Sequence, residues 1–291
     1  MNTASRHDDA PTDAHDDEYV LGHSTHELGR LSSQAQLYAP LVLSFLRAAG
    51  IEAGMRVLDV GCGGGDVSVL IARLVGPTGE VVGIDRSAAA IETATRRVQD
   101  LAASNMRFLV GDASSPDVEL TAEGPFDAAF GRSVLEFVPD PAGMLRTVAT
   151  LVRPGGVIAF QEADWSGCRA LPRVPTFSRC VDWGSEALQR SGADPLIGLK
   201  LHAIFAAAGL SLPTLTAHAA VGAGPAHPLY AHVAGLIRTL LPTIETLGVA
   251  TTSDVDIETL EQRLEDDVVA AGATIVWVSL VGAASRKSAE Q

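Results

Sequence analysis

An α/β fold built on a doubly wound, mostly parallel sheet is predicted by three observations on this 291-residue chain. Short apolar segments alternate with helical ones from residue 56 to 161. A glycine cluster, Gly61-Cys62-Gly63-Gly64-Gly65, separates the first apolar segment from the helix that follows. Finally, acids stand at the ends of the next two apolar segments, at Asp85 and Asp112.

The elements follow in order. Residues 1–18 hold Asp8, Asp9, Asp13, Asp16, Asp17 and Glu18 with almost nothing apolar, which reads as a disordered acidic tail. From Tyr19 to Ala49 the spacing of Leu28, Leu31, Leu37, Leu41, Phe45 and Leu46 predicts helix, interrupted or restarted at Pro40. Arg56–Gly61 reads as a buried strand and Asp66–Val75 as a helix, ended by the turn Gly76-Pro77-Thr78-Gly79. Glu80–Asp85 is a second strand, and Ser87 caps a helix reaching about Ala102. Met106–Gly111 and Phe126–Gly131 are the third and fourth strands. A helix at Asp140–Val152 is stopped by Arg153-Pro154-Gly155-Gly156, and Val157–Gln161 is a fifth strand.

Beyond Glu162 the alternation slackens. Residues 163–195 read as an irregular insert rich in Pro, Trp and Arg. A helix at Leu196–Ala208, a strand at Ser211–Ala220, helices near 226–247 and 254–271, and a strand at Thr274–Gly282 complete the chain. The division expected is a tail at 1–18, lid helices at 19–50, and one domain over 51–291 with lid insertions at 163–195 and 222–272.

Composition narrows the function. Hydrophobic residues make up 47 %, enough for a sizeable core. A net charge of −14 repels a phosphate backbone, so no nucleic-acid partner is expected. Cys62, Cys168 and Cys180 are widely spaced, without a metal-ligand pattern or a disulfide framework, so no metal is expected. No signal-peptide pattern and no long apolar run are present, which predicts a cytoplasmic chain without a membrane span.

The glycine turn lets backbone approach a ligand closely at a helix N-terminus. A dinucleotide fingerprint starting at Gly61 would need glycine where Asp66 stands, which weakens a nicotinamide-dependent oxidoreductase reading. Asp85 at a strand's carboxyl end suits both hydroxyls of a ribose, and Asp112 suits an exocyclic adenine amine. Each acid alone also fits a helix cap or a solvated loop.

Taken together, Val57-Leu-Asp-Val-Gly-Cys-Gly-Gly-Gly65, Val82-Gly-Ile-Asp85, Gly111-Asp-Ala113, Phe126-Asp-Ala-Ala-Phe130 and Leu151-Val-Arg-Pro-Gly-Gly156 resemble the class I S-adenosylmethionine-dependent methyltransferases. The resemblance covers about 55–162 and extends to the ubiquinone/menaquinone-type and natural-product small-molecule branch. It implies S-adenosyl-L-methionine as cofactor and a seven-stranded sheet whose last, antiparallel strand inserts beside the fifth, with a helical N-terminal segment and helical lid insertions. It assigns Asp59, Gly61 and Gly63 to the methionine portion, Asp85 to the ribose, and Asp112 with Ala113 to the adenine. Gly131 and Arg132 then face the cofactor, Arg86 covers the adenine plane, and the block Glu27-x-x-Arg30-Leu31-x-x-Gln34 looks like a leading helix closing over it.

In an open α/β sheet, ligands bind beyond the carboxyl ends of the strands. That places Phe130, Arg132, Glu136, Glu162, Asp164 and Trp165 near the reacting methyl, with Glu162 the candidate anchor or base. Tyr19, Arg30, Tyr38, Glu136, Trp165 and Trp183 are expected about the substrate pocket, its aromatics giving it an apolar character. His23, His26, His202, His218, His227 and His232 show no acid partner by spacing. The expected reaction is methylation of a small-molecule acceptor at C, N or O, with homodimerisation left open. A non-catalytic cofactor-binding regulator on the same fold is the alternative.

Overall fold

The computed structural model describes residues 25–101, 104–116 and 118–288. The expected acidic tail and Tyr19 lie outside the described residues, as do His23 and the side chains of His26, Arg30 and Gln34.

A long helix α1 (Thr25–Ala48) leads into five strands joined by four helices. These are β1 (Arg56–Val60), α2 (Asp66–Val75), β2 (Glu80–Asp85), α3 (Ala88–Leu101), β3 (Met106–Val110), α4 (Val118–Glu123), β4 (Phe126–Arg132), α5 (Pro141–Leu151) and β5 (Val152–Asp164). Then come β6 (Arg169–Leu171), α6 (Pro175–Arg190), α7 (Ile197–Ala207), β7 (Thr214–Ala223), α8 (Pro228–Thr246), α9 (Thr252–Val255), α10 (Leu260–Ala270) and β8 (Thr274–Arg286).

One sheet runs β3-β2-β1-β4-β5-β8, with β7 beside β8 on its far edge. The first five strands pair in parallel. β8 runs against its neighbours β5, β6 and β7. The expected antiparallel strand beside the fifth is therefore present, but the described sheet has eight strands rather than seven. The extra one, β6, is a three-residue strand on residues 274–276 of β8.

Central strands buried on both faces read as apolar runs. In β1, Val57 joins the core beneath α1, α2, α6 and α8, while Leu58 and Val60 join the core beneath α5 and α7. The same alternation carries Ala159 and Ala163 of β5 to the first face and Ile158 and Phe160 to the second.

Four expectations are corrected. The insert at 163–195 is not irregular: about half of it is α6, begun by Pro175 in its first turn. Its buried residues Phe177, Cys180, Trp183, Gly184, Ala187 and Leu188 recur at helical spacing. α1 runs unbroken through Pro40; that ring is exposed, and packing of Tyr38, Val42, Phe45 and Leu46 outweighs the lost hydrogen bond. The helix expected at 254–271 splits into α9 and α10 about Asp256, whose φ of 44° is left-handed. β5 and β8 are longer than expected because they zip together over eight residue pairs.

Gly282 of β8 lets α1 sit directly on the sheet, since a Cβ there would lie 2.3 Å from the Phe45 ring. We expect Gly282→Ala to lower stability by about 1–3 kcal/mol through displacement of that ring. Urea unfolding measures it, and an unchanged midpoint would contradict this account of the α1 contact. Lys287, just past β8, is buried and donates from Nζ to the carbonyls of Ala149 and Val152, each at 2.8 Å. It thereby caps α5 with a charge of the favourable sign.

Candidate active site

A cavity of about 1200 Å³ opens at the carboxyl ends of β1, β2, β3 and β4. It is the place where an open α/β sheet binds ligands.

The glycine loop forms one wall. Gly61, Gly63 and Gly65 have φ of 64°, 53° and 78°, a region that favours glycine. A Cβ on Gly61 would meet Val134 Cγ2 at 2.5 Å, whereas Gly63 has nothing within 4 Å. Gly63 is thus the open edge where a ligand approaches backbone. The loop is tied from behind by the ion pair of Arg97 with Asp66, and Arg97 also donates to the Gly64 carbonyl.

The acids follow at successive strand ends. Asp85 accepts from the Gly63 and Ser87 amides, both at 2.9 Å, so one carboxylate fixes loop and helix entry together. Ser87 in turn accepts from the Ala90 amide, the cap expected for α3. Asp112 accepts from the Ser114 amide at 2.8 Å. Asp59 is buried beneath the loop and accepts from Ser68 Oγ at 2.5 Å; burial pushes its carboxyl up to about 7 against the pull of Ser68 and Arg132.

Of the expected cofactor residues, Asp59, Gly61, Gly63, Asp85, Arg86, Asp112, Ala113 and Arg132 line the cavity, and Gly131 does not. Gly131 instead faces the Phe160 ring, which a Cβ would approach to 2.4 Å. Of the expected substrate residues, Tyr38, Glu136 and Trp165 line it, and the buried Trp183 does not.

Glu162 is fully buried and is not among the lining residues. Its carboxyl accepts from the amides of Val134 at 3.2 Å and Leu135 at 3.1 Å. It therefore holds the turn after β4, where Ser133 has the left-handed φ of 53°. That turn carries Glu136 into the cavity wall. Burial pushes Glu136 up to about 7 and, with Glu136 adding repulsion, Glu162 up to about 8.

These shifts predict a pH dependence. The folded protein keeps protons on Asp59, Glu136 and Glu162 that the unfolded chain, with values of 3.8 to 4.5, has already lost. Stability therefore falls as pH rises from about 4 to about 8 and levels off above. The melting temperature should drop across that window, and a Glu136→Gln/Glu162→Gln double variant should flatten the slope. A wild-type slope of opposite sign would refute it.

Sequence spacing missed the far half of the cavity. Trp277, Val278 and Leu280 of β8 and His232 and Leu236 of α8 line it, with His232 packed against Tyr38 and Trp277 against Trp165. The signal available was helical spacing of His232 and Leu236 on one face.

A family model described as a methyltransferase domain matches residues 51–191, the stretch holding loop, acids and post-β4 turn. These residues form a class I S-adenosylmethionine-dependent methyltransferase domain. Its cofactor is S-adenosyl-L-methionine, and the open edge at Gly63 with the carboxylates of Asp85 and Asp112 fits the methionine, ribose and adenine of that molecule.

The chain is similar to a ubiquinone biosynthesis O-methyltransferase of Albidiferax ferrireducens, 36 % identical over 127 residues, 44 % of this chain and 48 % of that protein. It is similar also to the demethylmenaquinone methyltransferase of Staphylococcus saprophyticus, 30 % identical over 135 residues, 46 % of this chain and 53 % of that protein. The chain spans about half the length of the curated relatives it matches. In fold it is similar to the YcgJ protein of Bacillus subtilis, with a TM-score of 0.54 and 18 % identity, covering 85 % of this chain and 98 % of that one. Among the described residues, no helix is long and apolar enough to cross a membrane, and no cluster of three or more His, Cys, Asp or Glu could hold a metal ion.

Proposed function

We propose that the methyltransferase domain, with the helices packed around it, methylates a C, N or O atom of a small, largely apolar metabolite in the cytoplasm. The observation that carries this reading is the continuity of the cavity. The loop and acids that suit S-adenosyl-L-methionine share one space with a chamber walled by Tyr38, Trp165 and Trp277.

The bound cofactor supplies a methyl already activated as a sulfonium, so the chain has chiefly to align the nucleophile and exclude water. Asp85 holds the ribose hydroxyls while keeping the Gly63 amide in place. Asp112 and Ala113 take the adenine, with Arg86 over its plane, and Asp59, Gly61 and Arg132 surround the methionine portion. Gln34 and Arg30 on α1 are assigned to the closing helix, Gln34 beside the cofactor and Arg30 beside the substrate. Glu162 acts through the turn it holds, as a positioning residue, while Glu136 presents a carboxyl to the cavity near neutrality, where it can hold or release a proton.

Incubation with labelled cofactor and a metabolite extract should place label in a small molecule, with Asp85→Ala inactive. Tight S-adenosylhomocysteine binding with no transfer to any extract would favour a non-catalytic regulator instead. A thermal shift with NADH and none with S-adenosylhomocysteine would overturn the cofactor assignment.

A further inference from the structure

We propose that the outer edge of β7 is the surface on which two copies of this chain pair, strand against strand, into a two-fold dimer with one continuous sheet. The proposal stands on the fold and is independent of the methyl-transfer reading.

A strand with one free side presents a row of unpaired N–H and C=O groups, a template for another strand. Among the described residues, the backbone ladder of β7 runs to β8 alone, and no turn or loop backbone bonds to Thr214–Ala223. Proteins guard such edges with charge, proline or shortness. Elsewhere this sheet is guarded. The opposite edge strand, β3, has five residues and carries Arg107, which is ion-paired with Glu80 and Glu123. β6 has only three residues. β7 has ten, Thr-Leu-Thr-Ala-His-Ala-Ala-Val-Gly-Ala, with neither a charged residue nor a proline. On it Leu215 is 47 % and Val221 53 % exposed, and Leu212 just before it is 68 % exposed.

Charge and symmetry select a second copy as the occupant. With a net charge of −14, two copies repel wherever their ordinary surfaces meet. Yet no Asp, Glu, Lys or Arg occurs between Lys200 and Arg238, the span that contains β7. Two such edges can meet without bringing like charges together. Identical strands pair antiparallel about a two-fold axis normal to the sheet, which closes the assembly at two and consumes both edges. Thr214–Ala219 keeps unbroken register with β8, up to the irregularity between Ala219 and Val221. Six residues facing their mates exchange about six backbone hydrogen bonds, within the roughly 5–15 of a stable interface. Leu215 and Ala217 lie on the α7 side, because their partners Ala283 and Val281 belong to that core. Paired residues share a face, so these exposed side chains of one copy meet those of the other.

Light scattering on the full chain at micromolar concentration should give twice the mass of one chain, and amide exchange over residues 214–219 should slow as concentration rises. Leu215→Lys/Ala217→Lys sets like charges opposite one another at exposed positions and should raise the dimer dissociation constant at least about tenfold. The added lysines reduce the net negative charge of each copy, so general repulsion would change in the opposite sense. Leu215→Glu/Ala217→Glu should dissociate likewise, and an equimolar mixture of the two double variants should dimerise again. A monomeric wild type, a dimer untouched by the lysines, or a mixture that stays monomeric would each overturn the proposal. Slow exchange over 214–219 in a monomer would give the edge to another segment of this chain and overturn it too. Wild-type exchange against concentration requires no substitution, so it decides the matter even where a variant fails to fold. Thermal stabilisation by S-adenosylhomocysteine is followed alongside; its absence counts against the methyl-transfer reading and leaves the dimer standing.

Discussion

Replacing Asp85 by Ala should weaken S-adenosylhomocysteine binding by roughly 30- to 1000-fold, about 2–4 kcal/mol. Two losses combine. The carboxylate we propose as the acceptor for the ribose hydroxyls disappears, and charge-assisted hydrogen bonds of this kind contribute more than neutral ones. The Gly63 and Ser87 amides also lose their shared acceptor, so the open edge of the loop and the first turn of α3 are no longer fixed to each other. Asp85→Asn keeps an acceptor for one amide and should fall between the two. Titration calorimetry decides the matter, and an affinity for Asp85→Ala within about threefold of wild type would remove Asp85 from the cofactor site.

The second large effect is expected at Glu162. Glu162→Ala leaves the buried amides of Val134 and Leu135 without an acceptor, at about 1–3 kcal/mol each, for a total loss of about 2–6 kcal/mol. The turn carrying Glu136 should loosen with it, and any methyl transfer should fall accordingly. Glu162→Gln is expected within about 1 kcal/mol of wild type near pH 7, because an amide oxygen accepts the same two bonds and burial already holds the carboxyl uncharged there. Denaturant unfolding and turnover measured on both variants separate positioning from proton transfer. A stable, inactive Glu162→Gln would make Glu162 a base after all.

That pair shows where sequence stops. Glu162 and Glu136 both follow strands whose ends face a ligand, and spacing along the chain treats them alike. The pleat does not. Ala163 faces the cavity, so Glu162 beside it faces the opposite side with Phe160. Knowing the phase of β5 requires knowing which helices cover which face, and that is tertiary information.

The first half of the fold was legible for the converse reason. Parallel strands buried on both sides leave short apolar runs at 57–60, broken only by Asp59, and at 81–84, and glycines punctuate them. Asp85, Asp112 and the loop lie next to those runs, so their places follow directly. The aromatic chamber had no such signature. Tyr38, Trp165, His232 and Trp277 come from four distant segments and meet only after α1 and α8 pack over the sheet. α6 was hidden because Pro172 and Pro175 suggested a loop, although Pro175 in fact opens the helix.

The reversed direction of β8 also sets an order of assembly. This strand occupies a slot between β5 and β7, so neither neighbour has its full complement of backbone partners until residues 274–286 arrive. As the chain leaves the ribosome, strands β1 to β5 with the glycine loop can close by contacts of short sequence separation, while the pairing of β5 with β8 spans more than a hundred residues and comes late. Trp277, Val278 and Leu280 travel on that last strand. A nascent chain would thus acquire the cavity wall of the glycine loop, Asp85 and Asp112 well before the wall carrying Trp277, Val278 and Leu280, and a chain cut short before residue 274 would lack the second.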